Sequence, residues 1–96
     1  MNYQQSELLS WTLEDSDLLL AKVAASGKEK VEEVDFERIF EENFQEKCVD
    51  WHHLQKRLKD IISQSRHYYN IPCYKKEGLQ SAVKAERERR QVGKIL

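Results

Sequence analysis

The stretch WTLEDSDLLLAKVAASG, residues 11–27, decides the fold class. Thr12 is a residue type that caps helices, and Asp15 stands where the acid of a capping box stands. In that motif the hydroxyl accepts from an N–H of the first turn while the acid reaches back to the cap. Glu14, Asp15 and Asp17 add negative charge at the positive end of the helix dipole. Leu19, Leu20 and Val23 recur at helical spacing beside Trp11, and Gly27 suits the left-handed conformation that ends a helix. The stretch predicts a helix over residues 13–26 whose apolar stripe faces a core.

The remaining composition agrees. Three glycines and one proline in 96 residues leave little material for turns, which favours long helices over many strands. The length fits one domain, or a small domain with tails, and excludes paired Rossmann units and barrel enzymes. The longest apolar run, Leu18 to Ala21, is far too short to cross a bilayer. No apolar segment follows a basic start, so a secretory signal is not expected. Two cysteines then read as reduced thiols rather than a disulfide framework. The expectation is an all-α, soluble, intracellular chain.

Further elements follow from the same signals. Residues 1–10 lack a sustained pattern and read as a lead-in, with Leu8 or Leu9 available to pack on the core. Residues 28–34 read as a charged connection. In DFERIFEENF, Asp35 is a cap, Val34 and Ile39 have the spacing of a hydrophobic staple, and Phe36, Ile39, Phe40 and Phe44 oppose Glu37, Arg38, Glu41 and Glu42. A loop near residues 45–48 leads to a third helix, about residues 49–67, with the stripe Trp51, Leu54, Leu58, Ile61 and Ile62. Its other face carries His52, His53, Lys56, Lys59, Asp60 and Ser63, then Arg66 and His67. Asn70 and Pro72 bound its end. The tail, residues 71–96, has a thin stripe of Leu79, Ala82 and Val83; it is open to being a fourth helix, a helix formed on a partner, or disordered. The expected core anchors are Trp11, Leu19, Leu20, Val23, Phe36, Ile39, Phe40, Trp51, Leu54, Leu58 and Ile61.

Three helices with aromatic anchors resemble the Myb/SANT family of tri-helical modules. Trp11, Thr12, Glu14, Asp15, Leu19, Leu20, Val23 and Gly27 match the opening helix of that family at its spacing. Phe36 stands where the family has its middle Trp, and Ile39 follows. Trp51, Leu54 and Arg57 correspond to the Trp, Leu and Arg of divergent members, the branch of telomeric repressor-activator proteins being the most similar. The resemblance covers about residues 11–62. It implies a three-helix, helix-turn-helix bundle over residues 11–70, with the third helix as the recognition helix and a basic tail over residues 71–96.

Charge sharpens that expectation. Residues 12–47 hold 11 acids against 5 bases, and residues 48–96 hold 5 acids against 11 bases. Such asymmetry fits a basic surface for a polyanion and a separate acidic one, or two halves that neutralise each other on packing. The resemblance makes double-stranded DNA or chromatin the expected partner and His52, His53, Lys56, Arg57, Lys59, Ser63 and Arg66 the expected contacts, since Lys and Arg supply phosphate affinity and read guanine edges. The bland counterpart is an ordinary solvated helix face. The alternative is a SANT-type docking surface for a basic protein, built from Glu37, Glu41, Glu42 and Glu46. Lys75 and Lys76, ten residues, then Arg87, Arg89 and Arg90 have bipartite nuclear-signal spacing, which agrees with a nuclear location, although a charged helix gives the same pattern. Cys48, His52, His67 and Cys73 lack the paired spacing of zinc modules and read as unliganded. No phosphate-cradling loop, HExxH or GxSxG occurs. The sequence therefore predicts no catalytic residues, no metal, no cofactor, no small-molecule substrate and no membrane partner.

Overall fold

Thr12 and Asp15 form the expected capping box. In a computed structural model, which describes residues 11–47 and 50–95 with side chains as far as residue 92, Asp15 N–H donates to Thr12 Oγ1 (3.1 Å) and Thr12 N–H donates to Asp15 Oδ2 (2.9 Å). Helix α1 (Leu13–Ser26) starts there and ends at Gly27, whose φ of 70° is left-handed. A 3₁₀ turn (Val31–Glu33) leads to a short α2 (Phe36–Ile39), which runs on as a π turn (Phe40–Phe44). Helix α3 (Trp51–Tyr68), a single turn α4 (Tyr74–Glu77) and α5 (Leu79–Ile95) complete the described residues, whose regular structure is all helical. The expected lead-in with Leu8 and Leu9, and Cys48, lie outside the described residues. Among the described residues no helix is long and apolar enough to cross a membrane.

The core is built from the stripes that periodicity marks out. Leu19, Leu20 and Val23 of α1, Phe36 and Ile39 of α2, and Leu54, Leu58, Ile61 and Ile62 of α3 are all buried in one cluster. Three expected anchors stand elsewhere: Trp11, Phe40 and Trp51 are half-buried at its edge. The π turn explains Phe40. In the wider turn, positions five apart lie roughly one above the other. Ile39 and Phe44 therefore both face inward while Phe40 moves to the rim. Phe44, only 1% exposed, stacks on Trp11 with ring centroids 5.4 Å apart. The connection after α1 also contributes, because Val31 and Val34 are buried.

Of the three options for the tail, α5 takes the helical one, and Leu79, Ala82 and Val83 are completely buried where it packs along α1 and α3. The loop after α1 holds its first turn. Leu79 N–H donates to the Glu29 carbonyl (2.9 Å), and Gln80 N–H donates to Glu29 Oε1 (3.2 Å). The Gln80 amide donates to the carbonyls of Val23 (3.1 Å) and Lys28 (2.9 Å). Gly78 makes this approach possible: its φ is +96°, and a Cβ there would sit 2.5 Å from Glu29 Oε1.

A second tie crosses the middle of α5. The Glu86 side chain is wholly buried, yet both oxygens are occupied. Arg89 grips it with Nε (3.1 Å) and Nη2 (2.8 Å), and Arg90 Nε donates at 2.6 Å. Ser65 of α3 donates to the same carboxylate, and Arg90 Nη1 reaches Asp17 Oδ1 of α1 (3.2 Å). Burial pushes the Glu86 carboxyl up, but the hydrogen bonds from Arg89, Ser65 and Arg90 outweigh it and hold the group below its usual range.

Two stability predictions follow from these ties. Gly78→Ala costs about 2 kcal/mol, the usual range for a side chain forced into a glycine-only conformation. Glu86→Gln costs about 3 kcal/mol, because it leaves arginines without their buried counter-charge. Denaturant unfolding measures both. The folded state favours ionised Glu86, so on acidification the unfolded chain takes up that proton first. Wild-type stability thus falls as pH drops below about 4, and Glu86→Gln flattens that fall.

Candidate nucleic-acid interface

Helix α3 is amphipathic, so burial of Leu54, Leu58, Ile61 and Ile62 fixes which of its side chains face solvent. Asp50 starts the helix by accepting from His52 N–H through Oδ1 (2.8 Å). The imidazole Nδ1 atoms of His52 and His53 each stand 3.4 Å from the same oxygen. Desolvation pushes the Asp50 carboxyl up, while the His52 N–H and the two imidazoles outweigh it and lower it.

Beyond the cap, His52, Lys56, Lys59, Ser63 and Arg66 are all exposed and repeat at three- and four-residue intervals. From Lys56 to Arg66 this stripe is about 15 Å long at the rise of an α-helix. Among the described residues, Lys56, Lys59 and Arg66 make no ion pair. The stripe reaches α4. The Cys73 thiol is lowered by the N–H groups of Lys75 and Lys76, and the charges of Arg66 and Lys76 lower it further. Arg66 and Lys76 therefore share one neighbourhood. Residue Lys76 was not among the contacts expected from α3, because a one-turn helix carries no periodic signal.

Two expected contacts stand differently. His53 is half-buried at the edge of the stripe. Arg57 leaves it altogether: its guanidinium lies 4.7 Å from the ring centroid of Trp11, on the flank of α3 that faces α1. The basic tail is divided as well. Lys75, Lys76 and Arg87 are exposed, whereas Arg89 and Arg90 grip Glu86, so the five residues of the bipartite spacing do not form one free cluster.

The acidic surface lies on α2 and the turn after it. Glu37, Glu41, Glu42 and Glu46 are exposed. Arg38 pairs with Glu42 at 3.0 Å, and Lys47 approaches Asp15 of α1 at 3.3 Å. Among the described residues no three His, Cys, Asp or Glu side chains converge as a metal site. What the α3 stripe can do chemically is hold anionic oxygens and donate hydrogen bonds along one helix face. Comparison with protein-family models, with curated proteins and with solved structures gives no match.

The cap places the first residues of the stripe. Asp50→Ala is expected to fray the first turn: amide hydrogen exchange of residues 51–54 accelerates, while that of residues 58–62 is unchanged.

Proposed function

We propose that this chain is a non-enzymatic nuclear module of Myb/SANT type that binds double-stranded DNA or chromatin, with α3 as its recognition helix. One observation carries the reading. Arg38, Lys47, Arg89 and Arg90 are engaged with carboxylates of the protein itself, whereas Lys56, Lys59 and Arg66 stand outward in one line with no carboxylate on them. A helix of that kind fits the major groove, where Lys reads guanine edges and flanking cations hold phosphates. Lys56 and Lys59 take the base-facing role, and Arg66 and Lys76 the phosphate-facing one. The succession α2, turn, α3 supplies the helix-turn-helix order, and Trp51, Leu54 and Arg57 carry the family resemblance on α3.

A second reading rests on the exposed Glu37, Glu41 and Glu46, which make a docking face for a basic protein segment. The same experiment separates the two. Fluorescence anisotropy of a labelled mixed-sequence duplex is expected to give a Kd of about 10⁻⁵ M or tighter at low salt, weakening steeply as salt rises. The Lys56→Glu, Lys59→Glu double variant is expected to lose that binding with an unchanged thermal melt, since both side chains are exposed. Unchanged affinity removes α3 as the reader. Absence of wild-type binding at low salt moves the function to the acidic face, with a basic peptide as the next probe.

A further inference from the structure

A groove of about 470 Å³ runs between the start of α1, the second half of α3 and α5. It lies roughly a third of a turn around α3 from the basic stripe, at 100° per residue. Its walls are of two kinds. Leu13 and Tyr68 are 77% and 72% exposed, and Tyr69 is more than half exposed. These are the most solvent-exposed large apolar side chains of the described residues, and all three line one depression. Clustered exposed apolar surface of this kind marks an interaction site more often than scattered residues do.

The second wall is cationic. Arg57 lies flat on Trp11, whose own orientation is fixed by a 2.8 Å hydrogen bond from Nε1 to Ser16 Oγ and by the stack on Phe44. A guanidinium has five N–H donors. Among the described residues none of those of Arg57 meets an acceptor, and no carboxylate lies within 4 Å of it. The ring below it holds the fork in place without consuming its donors. Arg89, over the Tyr69 ring at 4.3 Å, keeps part of its guanidinium at the opposite edge, its side chain 31% exposed. The Glu86 charge that balances it is buried beneath, so the open surface presents Arg57 and Arg89 against the single lining carboxylate of Asp60.

We infer that this groove is a docking site for an acidic peptide segment of a partner protein, with a carboxylate on the Arg57 fork and an apolar side chain between Leu13 and Tyr68. Charge complementarity chooses the occupant. An immobilised, half-buried arginine without a partner favours bidentate carboxylate binding, and the apolar lip rewards a side chain that a sugar-phosphate backbone lacks. Asp60 and the exposed Glu14 beside Leu13 repel a continuous phosphate chain but leave room for one carboxylate. The site is separate from the α3 stripe, so the chain is able to hold a nucleic acid and an acidic protein segment at once.

The test uses the whole chain and a fluorescein-labelled peptide that alternates Glu with Leu and Phe, with its Lys-substituted counterpart and a single-stranded oligonucleotide as controls. Saturable binding of the acidic peptide alone is expected, with amide and indole shifts at Trp11, Leu13, Gln64 and Tyr68 in two-dimensional NMR. Arg57→Gln and, independently, Leu13→Ser are each expected to weaken it about tenfold. Leu13 is exposed, so that variant keeps the test valid even where Arg57→Gln perturbs the fold. Duplex binding by the Leu13→Ser variant is expected to match wild type. The inference is overturned if the acidic peptide does not bind at about 1 mM, if Leu13→Ser leaves its affinity unchanged, or if the oligonucleotide shifts the same groove signals.

Discussion

The buried Glu86 carboxylate is the point on which the arrangement of the long helices depends. A lone ionised carboxylate in the interior is prohibitively unfavourable, so the group persists only because Arg89, Arg90 and Ser65 surround it. Those donors come from α5 and α3, and Arg90 then turns its remaining nitrogen to Asp17 of α1. Apolar stripes bring these helices together without saying how far each slides along the next. The carboxylate is directional and tolerates few registers. In this protein, position along the helix axis is set by a charge cluster, and contact is driven by leucines and valines.

The same cluster explains how the cations are divided. A chain with nearly equal numbers of acids and bases can pair them all or hold some apart. Here the arginines of α5 are drawn inward by Glu86 and Asp17, and Arg57 is drawn over Trp11. The lysines of α3 have no comparable attractor and stay in water. Arginine suits the inward role because its planar fork satisfies a buried carboxylate bidentately and stacks on rings; lysine, a compact and strongly hydrated charge, suits the outward one. The basic stripe is thus partly a consequence of which cation type stands at which position.

Much of this was legible in the sequence. The caps at Thr12, Asp35 and Asp50, the stop at Gly27 and the stripes of α1 and α3 follow local rules that need no partner. What was not legible depends on contacts far along the chain. In the run from Glu86 to Arg90, alternating charges look like a solvated helix, and only the approach of Ser65 and Asp17 makes Glu86 interior. Val31 and Val34 sit in a turn too short for periodicity. The π turn displaces Phe40 from the place that α-helical spacing gives it, because one wider turn changes the phase of everything after it. Among the candidate contacts, exposure of Lys56, Lys59 and Arg66 was readable from the stripe opposite them. The departure of Arg57 was not, since a flanking position is equally compatible with either neighbour.

The grip of Glu29 and Gln80 across the α1–α5 junction has a kinetic meaning. Most helices bring their own N-cap from the residue just before the first turn, so they can nucleate locally. Helix α5 borrows its cap from about fifty residues upstream. Its first turn has no stabilised nucleus until α1 and the loop after it are already in place, which raises the sequence separation of the contacts that must form early. The chain therefore behaves as one cooperative unit in which the last helix reports on the first. Local opening at residues 27–30 is transmitted to residues 78–82, so the two segments are expected to share a single opening free energy and to exchange their amide protons together.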